Sequence, residues 1–286
     1  MVLLDIPLDN AERIIKKMNA PDAADILTEN EKEAWEALPA GEKAAALTDF
    51  CTRPIIGRPY PMYNWFFKTR WLEAFNAINL SAPASVVEIA SGATDMIPKL
   101  LSNSFLHPET EYATVNLNKD LTSHFRERIA CLPIKIKIVE DAAQKIEDHF
   151  GFGKIDAIVF EHSFNDIVET MIAEKNGIDT INTLWGDILP EMIRVTNEAF
   201  SSGAYEKIIR DEFMEMLRSL IKILKPGSFI VSHQFQYQSD LDLGILPEIW
   251  NGLISTIRKW AAEDNIGREV FFDGFEPNWW MFLQKN

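Results

Sequence analysis

The sequence has few cysteines and no long apolar run. Cys51 and Cys131 are the two cysteines among 286 residues, too few for a disulfide framework or a cysteine-rich metal site. No stretch of about 18 uncharged apolar residues occurs, so no membrane-spanning helix is predicted. The N-terminus reaches a carboxylate at Asp5, which is too early for a secretion signal. These absences predict a soluble protein of the cytoplasm with no membrane partner.

Basic residues are also scarce. The chain has 28 Lys plus Arg against 43 Asp plus Glu, which gives a net charge of −15 with His taken as neutral. A surface this acidic repels nucleic-acid phosphates, so we expect no nucleic-acid partner. Hydrophobic residues make up 47% of the sequence, enough to bury a full core. The composition predicts no particular oligomeric state.

The chain divides into two regions of different composition. Residues 1–80 predict a helical annex, and residues 81–286 predict the main domain. Residues 51–80 are rich in aromatic residues and carry four basic residues against one acid. Two interpretations are open: a helix there packs on the main domain, or some of its aromatic residues line a ligand pocket. The candidates for such a substrate-binding wall are Tyr60, Tyr63 and Trp65.

Strands and helices alternate from residue 85 onward, which predicts an α/β fold with a mostly parallel sheet. About six residues separate the last two strands, too few for a helical crossover, so these two strands should pair antiparallel. A helical insertion is predicted over about residues 165–224. The predicted strands cover 85–90, 111–116, 134–139, 155–160, 227–234, 269–272 and 279–283, and the other predicted helices cover 94–104, 119–130, 142–150 and 247–263.

Polar residues stand at the ends of four predicted strands. The motifs are VVEIASGAT over 86–94, YATVNLN over 112–118, VEDA over 139–142 and DAIVFEH over 156–162. Ligands of open α/β sheets bind beyond the carboxyl ends of the strands, at the switch in strand order. The residues expected to meet there are Glu88, Asn116, Asp141 and Glu161.

These motifs, in this order, resemble the class I S-adenosylmethionine-dependent methyltransferases over roughly residues 84–285. The segment LKPGSFIV, residues 224–231, is also common in that family. The resemblance implies a Rossmann-like seven-stranded sheet in the order 3-2-1-4-5-7-6, with the last strand antiparallel. It further implies S-adenosyl-L-methionine as the cofactor and methyl transfer to an N or O atom of a small molecule, with a peptide acceptor as an alternative.

The first motif departs from the family pattern. The family has Gly-x-Gly-x-Gly after the first strand, and here Ala90 and Thr94 replace the outer glycines while Gly92 is kept. Alanine at the first position is tolerable if its φ angle stays negative. The family also has an acid at the end of the second strand, where this chain has Asn116. An amide lacks the charge-assisted hydrogen bond of a carboxylate.

The resemblance assigns a role to each strand end. Glu88 would hold the amino end of the cofactor, Asn116 would face the ribose, and Asp141 would reach the adenine. Each has a plain structural alternative: a strand-end pairing for Glu88, a turn for Asn116 and a helix N-cap for Asp141. The full set of predicted cofactor-binding residues is Glu88, Ala90, Gly92, Asn116, Leu117, Asp141, Ala142 and Glu161.

Candidate residues for the chemistry lie after the fourth and fifth predicted strands. His162 is the predicted general base, since an unperturbed histidine titrates near neutral pH, and His233 is a predicted substrate contact. A metal site of Glu161, His162 and His233 lacks compact ligand spacing, so no metal is predicted. Asp166 and Glu169 share one helix face, either as a solvated surface or as the site of a cationic amine; Asp166 is the substrate-binding candidate.

Two other functions remain open at this point. The missing glycines and Asn116 are compatible with a catalytically degenerate protein that binds S-adenosylmethionine or has a regulatory role. A nicotinamide-dependent oxidoreductase requires Gly-x-Gly-x-x-Gly, and residues 90–95 read ASGATD, with one glycine. The predicted antiparallel pair at the end of the chain also disfavours that class.

Overall fold

The computed structural model describes residues 60–236 and 238–286, with the short pieces 13–14, 16, 33, 36–43 and 45 before them. Within these ranges, no helix is long and apolar enough to cross a membrane. The helices predicted for residues 1–50 fall largely outside the described residues. The side chains of Tyr60, Tyr63 and Trp65 are outside them as well, so their predicted contact with substrate stays a prediction.

Seven strands form one sheet in the order β3-β2-β1-β4-β5-β7-β6. The first five strands pair in parallel, and β7 pairs antiparallel with both β5 and β6. The predicted fold class and the antiparallel closing pair are therefore confirmed. The strands are β1 (Ser85–Ile89), β2 (Glu111–Val115), β3 (Lys135–Val139), β4 (Ile155–Glu161), β5 (Leu224–His233), β6 (Arg268–Glu269) and β7 (Trp280–Gln284).

The position of each strand explains its sequence. β4 lies between β1 and β5 and reads IDAIVFE, a nearly continuous apolar run, because helices cover both faces of a central parallel strand. β3 is an edge strand and reads KIKIV, in which lysines alternate with apolar residues. Lys135 and Lys137 are exposed, as the prediction of a more exposed strand required.

The helices agree with the predicted ones except in three places. The helix predicted over 247–263 is interrupted at Gly252, residues 143–148 form a 3₁₀ helix where an α-helix was predicted, and the short helix Gln238–Asp242 was not predicted. The insertion contains three helices, α4, α5 and α6. The helices are α1 (Tyr60–Ala77), α2 (Met96–Ser104), α3 (Lys119–Ile129), α4 (Phe164–Lys175), α5 (Trp185–Ser201), α6 (Tyr205–Ile223), α7 (Gln238–Asp242), α8 (Pro247–Asn251) and α9 (Leu253–Glu263).

A separate hydrophobic cluster packs on each face of the sheet. One is formed chiefly by α4, α5, α6 and α9, and the other by α1, α2, α3 and the C-terminal segment. Phe67 and Trp71 of α1 are buried in the second cluster, with Trp71 in edge contact with Trp280 of β7. The interpretation that this aromatic stretch packs on the main domain thus holds for its described side chains. The division at residue 80 stays a prediction.

Candidate functional site

A cleft opens beyond the carboxyl ends of β1, β2 and β3 and is closed on one side by α4 and α6. The space within it, including the open solvent at its mouth, is about 840 Å³. The sequence motifs supply one wall, with Ala90, Gly92, Asn116, Leu117, Asp141 and Ala142. Six of the eight predicted cofactor-binding residues therefore lie at one cleft, and the predicted substrate contact Asp166 lies there too.

The turn after β1 contains two left-handed residues. Ala90 has φ +54° and Gly92 has φ +57°, so the condition under which Ala90 would be unstrained, a negative φ, is not met. An L-residue pays for this conformation because its Cβ crowds the following carbonyl. Thr94 donates its backbone N–H to the Ser91 carbonyl at 3.0 Å and helps to close the turn before α2 begins at Met96.

We expect Ala90→Gly to stabilise the fold by about 0.5–1 kcal/mol, since glycine adopts a positive φ without steric strain. Ala93→Gly is the matched control, because Ala93 lies in the same turn and has no positive φ, and it should be destabilising. Urea denaturation of both variants measures the difference. A loss of stability for both variants alike would show that the strain at Ala90 is negligible.

Asn116 binds the backbone of this turn with both ends of its amide. Its Oδ1 accepts the Gly92 N–H at 3.1 Å, and its Nδ2 donates to the Gly92 carbonyl at 2.9 Å and to Ser91 Oγ at 3.1 Å. The side chain is 3% exposed. Asn116 therefore holds the turn in shape at the position where the family has a ribose-binding acid.

Asp141 provides an ionised acceptor at the third strand end. Its carboxylate accepts the Ala142 N–H at 2.8 Å and lies 3.0 Å from His149 Nε2 and 3.2 Å from Lys145 Nζ. The hydrogen bond with His149, the Ala142 N–H and Lys145 lower the pKa of Asp141 to about 2. The plain N-cap alternative is not what forms, because Ala142 is the N-cap of the 3₁₀ helix and makes no side-chain cap bond.

Glu88 lies behind the cleft wall. It is 1% exposed, and its Oε2 accepts a hydrogen bond of 2.5 Å from the Tyr112 hydroxyl. Burial raises the pKa of Glu88 well above its ordinary value, and the nearby Glu161 and Asp95 carboxyls raise it further. Its Oε1 has no hydrogen-bond partner. Its predicted contact with the cofactor stays a prediction.

Acidic side chains gather at the start of α4. Burial raises the pKa of Glu161 to about 7 and that of Asp166 to about 8, and the carboxyls of Asp240 and Glu161 contribute to the second shift. Burial also raises the pKa of Glu169 well above its ordinary value, with Asp166 and Asp240 adding to the effect. The interpretation of Asp166 and Glu169 as a solvated face is therefore wrong for Glu169, which is 3% exposed.

The two candidate histidines pack away from the cleft wall. His162 donates from Nε2 to the Phe235 carbonyl at 2.6 Å, and burial lowers its pKa to about 3. His233 packs its ring 4.5 Å from that of Trp280 and 4.7 Å from that of Phe67, and burial lowers its pKa as well. A ring of such low basicity accepts a proton weakly at neutral pH. The catalytic role of His162 and the substrate contact of His233 stay predictions.

Among the described residues, no group of three or more His, Cys, Asp or Glu side chains is arranged to hold a metal ion.

Several cleft residues come from the insertion and were missed by sequence reasoning. Asn118 caps α3 by accepting the Leu121 N–H, as predicted, and its Nδ2 also donates to the carbonyls of Thr180 at 2.9 Å and Thr183 at 3.0 Å. These bonds place Thr180 in the cleft wall. No local motif signals such tertiary contacts. The other missed wall residues include Gln144, Thr170, Met171, Glu174, Glu212 and Met216.

No profile of a protein family matches the chain, and no curated protein sequence matches it. Similar solved structures include an S-adenosylmethionine-dependent methyltransferase from Aquifex aeolicus, at 11% identity, with 74% of this chain and 86% of that one covered and a TM-score of 0.45. A second S-adenosylmethionine-dependent methyltransferase, from Clostridium acetobutylicum, matches at 13% identity, with 68% of this chain and 58% of that one covered and a TM-score of 0.39. An rRNA methylase from Streptococcus thermophilus matches at 12% identity, with 81% of this chain and 98% of that one covered and a TM-score of 0.38.

The strand order is independent of these likenesses, because it follows from the pairing of each strand with its neighbours. β1 and β4 are adjacent parallel strands, and the strand order reverses between them; the cleft lies at that switch point. With its antiparallel β7 between β5 and β6, the chain has the Rossmann-like fold of the class I S-adenosylmethionine-dependent methyltransferases.

Proposed function

We propose that the protein is an S-adenosylmethionine-dependent methyltransferase that acts on an N or O atom of a small molecule. The observation that carries this proposal is the convergence of the motifs after β1, β2 and β3 on one cleft at the switch point of the sheet. Among the residues that the structure describes, no Lys or Arg lines this cleft, whereas four acidic residues do: Asp141, Asp166, Glu174 and Glu212. Such a wall supports a cationic or neutral ligand over a nucleic acid.

The residues present fit a nucleoside that carries a positively charged sulfur. Ile89, Leu117 and Met171 provide apolar wall for a purine ring, and the ionised Asp141 accepts hydrogen bonds from an exocyclic amino group. Thr180 is 3% exposed and its Oγ1 has no hydrogen-bond partner, so this wall residue has an unused polar atom for a ligand hydroxyl. The bound cofactor would supply an electrophilic methyl group and a neutral thioether leaving group.

The chain's own residues then have mainly to bind and align. Orientation of two bound reactants can supply about 7–11 kcal/mol of a barrier. The Asn116 amide fixes the turn of Gly92, and Asn118 fixes the segment around Thr180 on the opposite side. These hydrogen bonds would hold the turn at Gly92 and the segment at Thr180 in place around a bound cofactor.

The strongest competing function is a binding or regulatory protein without catalysis. The amide of Asn116 is committed to the Gly92 turn, so this side chain offers a weaker ribose contact than the family's acid does. A nicotinamide-dependent oxidoreductase has less support, because its three-glycine turn is missing. The cytoplasmic location, and an acceptor that is not a nucleic acid, are parts of the same proposal.

Calorimetric titration tests the cofactor directly. We expect S-adenosylmethionine to bind and NADH to give no heat, and Asp141→Asn should weaken S-adenosylmethionine binding about tenfold, since the amide loses the charge-assisted hydrogen bond of the carboxylate. Glu140→Gln is the matched control: Glu140 is the adjacent acid, is 44% exposed and pairs with Arg126 outside the cleft. Binding of NADH in place of S-adenosylmethionine would refute the proposed function. If both variants weakened S-adenosylmethionine binding equally, Asp141 would not be a specific contact of the cofactor.

A further inference from the structure

Three carboxyl groups lie together where β4 passes into α4. Glu161 is the last residue of β4, and Asp166 and Glu169 lie on one face of α4, three residues apart. Glu161 and Glu169 are 9% and 3% exposed, while Asp166 lines the cleft. This acidic group therefore opens to the cleft at Asp166 and extends inward from it.

Hydrogen-bond acceptors in this acidic group lack donors. Glu161 Oε1 is buried with no hydrogen-bond partner, and so is Oδ1 of Asn165, a residue that is 7% exposed. Asn165 Nδ2 donates to Asp166 Oδ1 at 2.9 Å. Because the amide oxygen is bonded to the same carbon as Nδ2, it lies beside the Asp166 carboxyl. Buried acceptors of this kind are costly unless a donor reaches them.

We propose that Glu161, Asn165 and Asp166 bind the ammonium group of a protonated primary or secondary amine, and that this amine is the methyl acceptor. The assignment rests on the proposed function. An ammonium group has hydrogen-bond donors and no acceptor, and it brings the positive charge that the carboxyls need. A neutral alcohol brings no positive charge. In the part of the chain that the structure describes, no group of three or more His, Cys, Asp or Glu side chains is arranged to hold a metal ion.

The amino end of the cofactor is a second source of an ammonium group. S-adenosylmethionine has a sulfonium, an ammonium and a carboxylate, so its net charge is one positive charge. The two sources predict different effects of the substitutions at these carboxyls, and the measurements below separate them.

The same carboxyls can accept the proton that an amine must lose. Raised pKa values near 7 for Glu161 and near 8 for Asp166 suit proton transfer close to neutral pH. The Asp166 carboxylate takes one proton from the ammonium nitrogen and becomes a neutral carboxylic acid, and the nitrogen keeps a free lone pair. The carboxyls of Asp240 and Glu161 raise the pKa of Asp166; in turn Asp166 raises the pKa of Glu169, and Glu161 raises that of Glu88.

Binding of n-butylamine tests the site, with n-butanol as the matched neutral probe. Calorimetry on the full chain should show n-butylamine binding and no n-butanol binding, with at least a tenfold loss of affinity in Asp166→Asn and in Glu161→Gln. Asp187→Asn is the control, because Asp187 is an exposed acid in the first turn of α5. The amine stays protonated to about pH 10, so its affinity should rise from pH 6 to pH 9 as the carboxyls ionise.

S-adenosylmethionine affinity is measured on every variant in the same experiment. Unchanged cofactor affinity together with lost amine affinity supports the acceptor site. Lost cofactor affinity with unchanged amine affinity would assign the carboxyls to the cofactor's own ammonium and overturn the inference. Equal binding of n-butanol, or amine binding that survives both substitutions, would also overturn it and leave the proposed function intact. A wild-type protein that binds no S-adenosylmethionine would refute the proposed function and the acceptor role together.

Discussion

Arg70→Met is expected to lower the free energy of unfolding by about 3–5 kcal/mol, the cost of removing one partner of a buried ion pair. Arg70 lies in α1 and is 1% exposed. Its guanidinium pairs with Glu73 and with Glu276, at 3.3 Å from the latter, and donates to the Gly274 carbonyl at 2.6 Å. It also lies 4.6 Å from the centre of the Phe275 ring. Methionine fills part of the volume and satisfies none of these acceptors.

The comparison that isolates burial is Arg194→Met. Arg194 on α5 pairs with Glu191 and Glu198 and is 52% exposed, so its loss should lower the free energy of unfolding much less than the loss of Arg70 does, since solvent screens exposed ion pairs. Urea denaturation at neutral pH measures both variants, and Arg70→Lys should fall between them because a single ammonium cannot reproduce the fork of contacts. If Arg70→Met lowers the free energy of unfolding no more than Arg194→Met does, the ion pairs of Arg70 contribute little to holding α1 on the C-terminal segment.

Asn116→Asp is expected to weaken S-adenosylmethionine binding tenfold or more, although it restores the acid that the family has at this position. A carboxylate cannot donate, so the bond from Nδ2 to the Gly92 carbonyl is replaced by a contact between two oxygens. The charge would be buried, since the residue is 3% exposed. The turn of Ala90 and Gly92 should open, with a loss of about 1–3 kcal/mol in stability.

Lowering the pH should partly rescue this variant. A protonated carboxylic acid has one O–H donor that can replace Nδ2, so the defect should shrink from pH 8 to pH 5. Asn251→Asp is the control for the added negative charge, because Asn251 is exposed at the end of α8. Calorimetry and denaturation follow both variants. Tighter cofactor binding by Asn116→Asp would mean that this side chain faces the ribose and that the turn does not depend on its amide.

Sequence reasoning located the cleft well because its first wall is local. A strand followed by a polar residue and a tight turn fixes which backbone atoms reach the carboxyl edge of the sheet, and Asp141 and Gly92 could be placed on that basis alone. The use of each side chain was less predictable. Asn116 was predicted as a ribose contact, with a turn residue as the alternative. Its amide binds the turn at Gly92, 24 residues away in the sequence, and its contact with ribose stays a prediction.

Histidine basicity could not be predicted from the motif either. His162 directly follows a central strand, where a general base was expected, yet its ring is buried against Phe235 and its pKa falls to about 3. Desolvation depends on which segments pack over a residue, and these come from distant parts of the chain. The same burial raises the pKa of Asp166, which sequence reasoning treated as a solvated acid in its plainer interpretation.

The sequence by itself determined the alternation of strands and helices, the antiparallel closing pair and the edge of the sheet at which polar residues collect. These features follow from local periodicity, from connection lengths and from the fixed direction of parallel strands. Tertiary structure alone decided that Thr180 completes the cleft, that Ala90 has a positive φ and that Glu161 and Glu169 are buried near Asp166. The physical reason is that desolvation and hydrogen-bond partnership depend on contacts between residues far apart in the chain, which no local pattern encodes.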